Sequence, residues 1–157
     1  MEIRSIRSLV ESHPLLADLP EADIDLIAGC GRNVRFRAGD LLLREGEEAN
    51  TFYLLRSGRV SVELTAPGRQ TLVVRTVDAG DLVGWSWLIP PYRWHLDARA
   101  VDAVAAVSID GACLRRKCDA DHSLGYRLMQ RFAQVAVDHL QAARLQLADL
   151  YAPPGPS

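Results

Sequence analysis

No run of apolar residues in this sequence approaches the ~20 needed to cross a bilayer, and the first residues, Met1-Glu2-Ile3-Arg4-Ser5-Ile6-Arg7, lack the apolar core of a secretory signal. There is no basic excess: 18 Lys and Arg stand against 20 Asp and Glu, a net charge of −2 that gives no electrostatic reason for nucleic acid or an anionic membrane as partner. Cysteine is scarce. Cys30, Cys113 and Cys118 are odd in number and unevenly spaced, which argues against a disulfide framework and for separate thiols in a reducing cytoplasm. Acids are missing where the aromatics crowd, because none occurs between Asp81 and Asp97.

What is present is one domain's worth of chain. With 157 residues, 48% of them hydrophobic and 24% charged, the sequence has enough apolar side chain for a single core. Residues 1–31 read as helices: Ile3, Ile6 and Val10 keep helical spacing, His13-Pro14 breaks the run, and Pro20 with Glu21, Asp23 and Asp25 suits a second start before Gly29 and Gly31. From 32 to 110 the texture is short β-like runs, at 33–36, 41–44, 51–55, 59–65, 71–77, 82–83, 96–101 and 103–109. Turn residues such as Ala38-Gly39-Asp40, Pro67-Gly68 and Ala79-Gly80-Asp81 separate them. Eight short strands with frequent turns predict a sandwich, barrel or jelly roll.

Residues 111–151 return to helix. Asp119 or Asp121 suits the cap of a long helix reaching about Leu150, roughly 45 Å at 1.5 Å per residue, and Pro153, Pro154, Gly155 and Pro156 end it. Met129, Ala133, Ala136, Leu140, Ala143, Leu147 and Leu150 recur at four and three, a coiled-coil seam suited to a homodimer. A second set, Leu124, Leu128, Phe132 and Val135, is left to pack on the roll. The competing expectation is a single helix lying on its own barrel.

Several motifs then carry a resemblance. Arg37-Ala38-Gly39-Asp40 followed by Leu43-Arg44-Glu45-Gly46-Glu47, then Phe52-Tyr53-Leu54-Leu55-Arg56-Ser57-Gly58-Arg59-Val60, then Asp78-Ala79-Gly80-Asp81-Leu82-Val83-Gly84 resemble, in this order, the cyclic-nucleotide-binding domain of the catabolite activator (Crp/Fnr-like) family. The resemblance covers roughly residues 13–150. It implies a mainly β fold with flanking helices, a cyclic-nucleotide-binding double-stranded β-helix (jelly roll) with a ligand cassette at 80–99, and a long C-terminal dimer helix.

The resemblance further implies a glutamate for the ribose just after the cassette glycine and an arginine for the phosphate about ten residues on. Gly84 is followed here by Trp85, so the ribose contact is missing. Arg93 is the arginine nearest the phosphate position, with Arg99 a second candidate on a strand. The expected ligand-binding set is Gly84, Trp85, Ser86, Arg93, Trp94 and His95, with Ser86 and backbone N–H groups near any anion and Arg93 as its countercharge.

Trp85, Trp87 and Trp94, all the tryptophans of the chain, fall with Tyr92 in this one segment. Two accounts stand side by side: filling of the barrel core, or aromatic walls for a flat ligand. Catalysis has no support. His13, His95, His122 and His139 are scattered, and the Cys113, Cys118 and His122 spacing lacks the paired cysteines of common zinc sites, so no metal and no cofactor are expected. The expected partners are a second copy of the chain, a cyclic nucleotide or other small anion, and a protein that receives the output. Direct DNA binding is not expected, because no recognition helix follows Leu150 in this sequence. The sequence thus points to a regulatory sensor, with a ligand-free dimeric adaptor as the alternative.

Overall fold

The computed structural model describes residues 5–65, 68 and 70–151. Ile3, Pro67 and the prolines at 153–156, which figure in the sequence reading, lie outside the described residues. The chain opens with α1 (Ile6–Ser12), capped by Ser5, whose hydroxyl accepts the Ser8 N–H at 3.1 Å. A 3-10 turn at Pro14–Leu16 and α2 (Glu21–Ala28) follow.

Eight strands come next: β1 (Gly31–Phe36), β2 (Leu41–Leu43), β3 (Thr51–Ser57), β4 (Val60–Thr65), β5 (Thr71–Val77), β6 (Leu82–Val83), β7 (Asp97–Ala100) and β8 (Val104–Asp110). They form two antiparallel four-stranded sheets, ordered β1-β8-β3-β6 and β2-β7-β4-β5. Two helices close the chain, α3 (Gly111–Ala120) and α4 (His122–Tyr151).

Strand parity explains the two cores. On β8, Val107 and Ile109 face the helices, where they meet Leu54, Leu114, Leu124 and Leu128, while Val104 and Ala106 face the other sheet, against Leu55, Val60 and Val77. A strand buried on both faces shows no alternation, and 104–109 is accordingly an unbroken buried run. On β4, Val60 and Val62 point between the sheets, whereas Ser61 and Glu63 on the opposite face are also buried and joined by a 2.9 Å hydrogen bond from the Ser61 hydroxyl.

The long helix divides its faces as its sequence divides its residues. Leu124, Leu128 and Phe132 are buried and Val135 packs beside them. Met129, Leu140 and Leu147 remain 47%, 51% and 54% exposed, and Ala133 and Ala143 are exposed with Ala136 at the edge. Asp121, with an extended backbone, ends α3 and caps α4 by accepting from Leu124 N–H at 3.2 Å. Cys118 and His122 therefore fall on different helices. Asp23, read from sequence as a helix-dipole partner, is fully buried and takes Arg127 of α4 in a two-pronged ion pair, its Oδ1 2.9 Å from Nη2.

The cysteine expectation is corrected. Cys30 and Cys113 form a disulfide across 83 residues of sequence, with Cα atoms 5.9 Å apart, and Cys118 is the free thiol. Spacing could not reveal this pair. The register of β1 on β8 sets it: Gly31 lies opposite Ile109, Asp110 N–H donates to Cys30 carbonyl at 2.8 Å, and Asp110 then caps the helix that carries Cys113.

Candidate functional site

The site begins at Gly84, which leaves β6 with φ +97°, a conformation that only glycine adopts without strain. Its bare face is covered: a Cβ there would stand 2.7 Å from Cη2 of Trp94. Beyond it, a 3-10 turn at Ser86–Leu88 carries the next two aromatics to different places. Trp87 is fully buried under the helices, stacked on Phe52 with centroids 4.8 Å apart and edge-on to Phe132 at 5.3 Å. Trp85 stays half-buried against the middle of α4, its ring 4.9 Å from the imidazole of His139. Trp94 fills the space between the sheets. Trp87 and Trp94 are thus core residues, and Trp85 and Trp94 also form walls.

Those walls belong to a small cleft of about 90 Å³ running between the sheets and α4. Gly84, Trp85, Ser86, Trp94 and His95 of the expected set line it, together with Leu43, Val62, Val83, Asp97 and His139. Arg93, expected as the countercharge, does not line it. Neighbouring side chains alternate, so an inward Trp94 sends Arg93 outward, where it is exposed and donates to the carbonyl of Gly46 at 3.1 Å. Arg99 is also elsewhere, donating to Glu63 at 3.4 Å and to the Gly39 carbonyl at 2.9 Å.

The cation at the cleft is Arg75, in the middle of β5. It pairs across the ladder with Val62, an inward position. Its Nη2 reaches Asp81 Oδ2 at 3.4 Å, a long contact, and its buried Nε has no partner. Burial lowers its pKa and Asp81 opposes that effect. His139 faces it from α4: burial, then the charge of Arg75, push the imidazole pKa down to about 4, so it is neutral at physiological pH.

Sequence reasoning missed both residues, although signals existed. Arg75 stands two residues before the inward Val77 on a strand, and His139 extends the Leu124, Leu128, Phe132, Val135 stripe by one more helical step. Arg115 was missed without any signal. Its guanidinium lies 4.3 Å above the Tyr92 ring and donates to the carbonyls of Ala49 and Trp87 and to Asn50 Oδ1, tying α3 to the cassette segment.

Residues 33–121 match the family model described as the cyclic nucleotide-binding domain. The chain belongs to that family. Human cGMP-dependent protein kinase 2 is 33% identical over 109 residues, which is 69% of this chain but 14% of the kinase. The cAMP-dependent protein kinase regulatory subunit of Schizosaccharomyces pombe is 34% identical over 77 residues, 49% of this chain and 18% of that protein. The chain therefore spans less than a fifth of the curated relatives named here.

Among solved structures, a candidate cyclic nucleotide-binding protein of Geobacter metallireducens GS-15 superposes with TM-score 0.77 at 28% identity, covering 88% of this chain and 99% of that one. The Thermus thermophilus catabolite activator protein shares the fold, with TM-score 0.68 at 21% identity, covering 87% and 62%. The cyclic nucleotide-binding fold is present here as a mainly antiparallel β structure with flanking helices. Within it, the glutamate that the resemblance implied is Trp85, and no arginine of the cassette segment lines the cleft. Among the described residues no cluster of metal-ligating side chains occurs, and no helix is long and apolar enough to cross a membrane.

Proposed function

We propose that this cyclic nucleotide-binding domain is a non-catalytic regulatory sensor whose cleft has been retuned away from cyclic nucleotides, and which dimerises through α4. The observation that carries the reading is the contact between Trp85 and His139, 4.9 Å between ring centroids. It joins the cassette to α4 at the wall of the cleft, so a molecule entering the cleft must displace or engage a side chain of that helix. The same helix carries the exposed seam of Met129, Ala133, Ala136, Leu140, Ala143 and Leu147. Occupancy then becomes a change in how two α4 helices pack, which a protein partner reads.

The retuning is supported by what faces the cleft. A ribose would meet Trp85 instead of a carboxylate, and a cyclic phosphate would find Arg93 turned away. Calorimetric titration with cyclic AMP and cyclic GMP tests this: neither releases heat nor raises the melting temperature, whereas a screen of small flat molecules finds one that does. Micromolar binding of either nucleotide overturns the retuning. A second reading, a ligand-free dimeric adaptor, is favoured by Trp94, which is only 7% exposed and already occupies the space over Gly84. A screen in which nothing shifts the melting temperature selects it.

A further inference from the structure

Resting on the sensor reading, the geometry points to the ligand class: a monoanion with a flat apolar body, such as an aromatic carboxylate, its charged group held by Arg75 and His139 and its ring against Trp85 and Trp94. The buried Nε–H of Arg75 has no acceptor, and its contact with Asp81 is long at 3.4 Å. A guanidinium so loosely paired at the cleft wall has donors to spare, and a carboxylate is the acceptor that suits it in charge and shape. His139, beside it, offers a ring N–H in its neutral state without adding a second positive charge.

The remaining walls decide between anions. Leu43, Val62, Val77, Leu82 and Val83 are aliphatic, so a sugar would lose its hydration there without partners. Asp97 also lines the cleft, with Oδ1 accepting from Glu45 N–H at 2.8 Å, and it would repel an anion, which places the headgroup at the Arg75 end. Asp81 has its other oxygen on Leu82 N–H at 2.8 Å, so it keeps a partner if the ligand takes over Arg75.

Binding couples to protons. The groups facing His139 are Arg75 from β5, Asp81 from the turn before β6, and Asp138 on its own helix. An anion on Arg75 offsets the charge that helps to hold the imidazole neutral, so the bound complex takes up protons below neutral pH and affinity rises as pH falls from 7 toward 5.

The test uses the full chain and the isosteric pair phenylacetate and phenylacetamide, followed by calorimetry and tryptophan fluorescence. Phenylacetate binds, the amide binds at least tenfold more weakly, and Arg75→Gln reduces phenylacetate affinity at least tenfold while Arg93→Gln leaves it unchanged. His139→Gln, which keeps a neutral donor, retains most of the affinity at pH 7 but abolishes the tightening toward pH 5; this variant decides the matter if Arg75→Gln fails to fold. Equal affinity for acid and amide overturns the inference and leaves the sensor reading standing. Absence of phenylacetate binding also overturns it, and the melting-temperature screen then decides the sensor reading separately. Cyclic AMP binding that Arg75→Gln removes keeps Arg75 as the anion site but overturns the aromatic carboxylate.

Discussion

The indole of Trp94 lies across Gly84 so closely that a Cβ on the glycine would stand 2.7 Å from Cη2 and 2.9 Å from Cζ3 of the ring, with the backbone at φ +97°. Two costs therefore meet at one position, a strained conformation for any other residue and a steric clash in a packed wall. Gly84→Ala is expected to destabilise the fold by about 2–4 kcal/mol. Urea denaturation measures it, and a loss below about 1 kcal/mol would mean the Trp94 ring can shift aside freely.

The disulfide between Cys30 and Cys113 closes a long loop. Chain entropy alone puts the stabilisation near ~4.5 kcal/mol for a loop of this length, and removal of such bonds typically costs about 2–5 kcal/mol. Replacing both cysteines by alanine should lower the melting temperature. Under non-reducing conditions, unfolded protein should accept a single alkyl group, at Cys118. Three alkyl groups would show that the pair is not bonded in solution.

Protonation of His139 should work against the fold. Its folded pKa, about 4, lies below the ordinary 6.5, so between these values the unfolded chain binds more protons than the folded one. Stability is fully present above pH 6.5 and declines as pH falls toward 4. Buried His13 is shifted in the same direction by desolvation and adds to the slope. His139→Gln should flatten part of the decline in melting temperature between pH 6.5 and 4.5; an unchanged slope would assign the effect to His13 and other groups.

The seam of α4 can be separated from the fold of the single chain. Leu140 and Leu147 are half-exposed and touch neither core. Leu140→Glu with Leu147→Glu should turn a dimer into a monomer by light scattering while the circular dichroism spectrum stays unchanged. A monomeric parent protein, or a variant that stays dimeric, would remove α4 as the interface.

Much of this was legible because it rests on local chemistry. Turn glycines such as Gly39, Gly46 and Gly80 take positive φ where strand runs meet, and the run at 71–77 is β5 residue for residue. The heptad stripe and the core stripe of α4 both follow from helical period. The three tryptophans were visible as a cluster, but not their division. Trp87 turns under the helices, Trp94 between the sheets and Trp85 toward His139, because a 3-10 turn and the irregular segment before β7 aim them in different directions.

The sequence by itself determined the order of helices and strands, the clustering of tryptophans after Gly84, and the family, since each depends on residue types at short spacing. Only the tertiary structure decided that Cys30 meets Cys113, that Asp23 holds Arg127, and that Arg75 and His139, not Arg93, line the cleft. The reason is physical. These pairs lie 64 to 104 residues apart in the chain, and they are set by which faces of distant strands and helices pack together, a property that no local window of sequence contains.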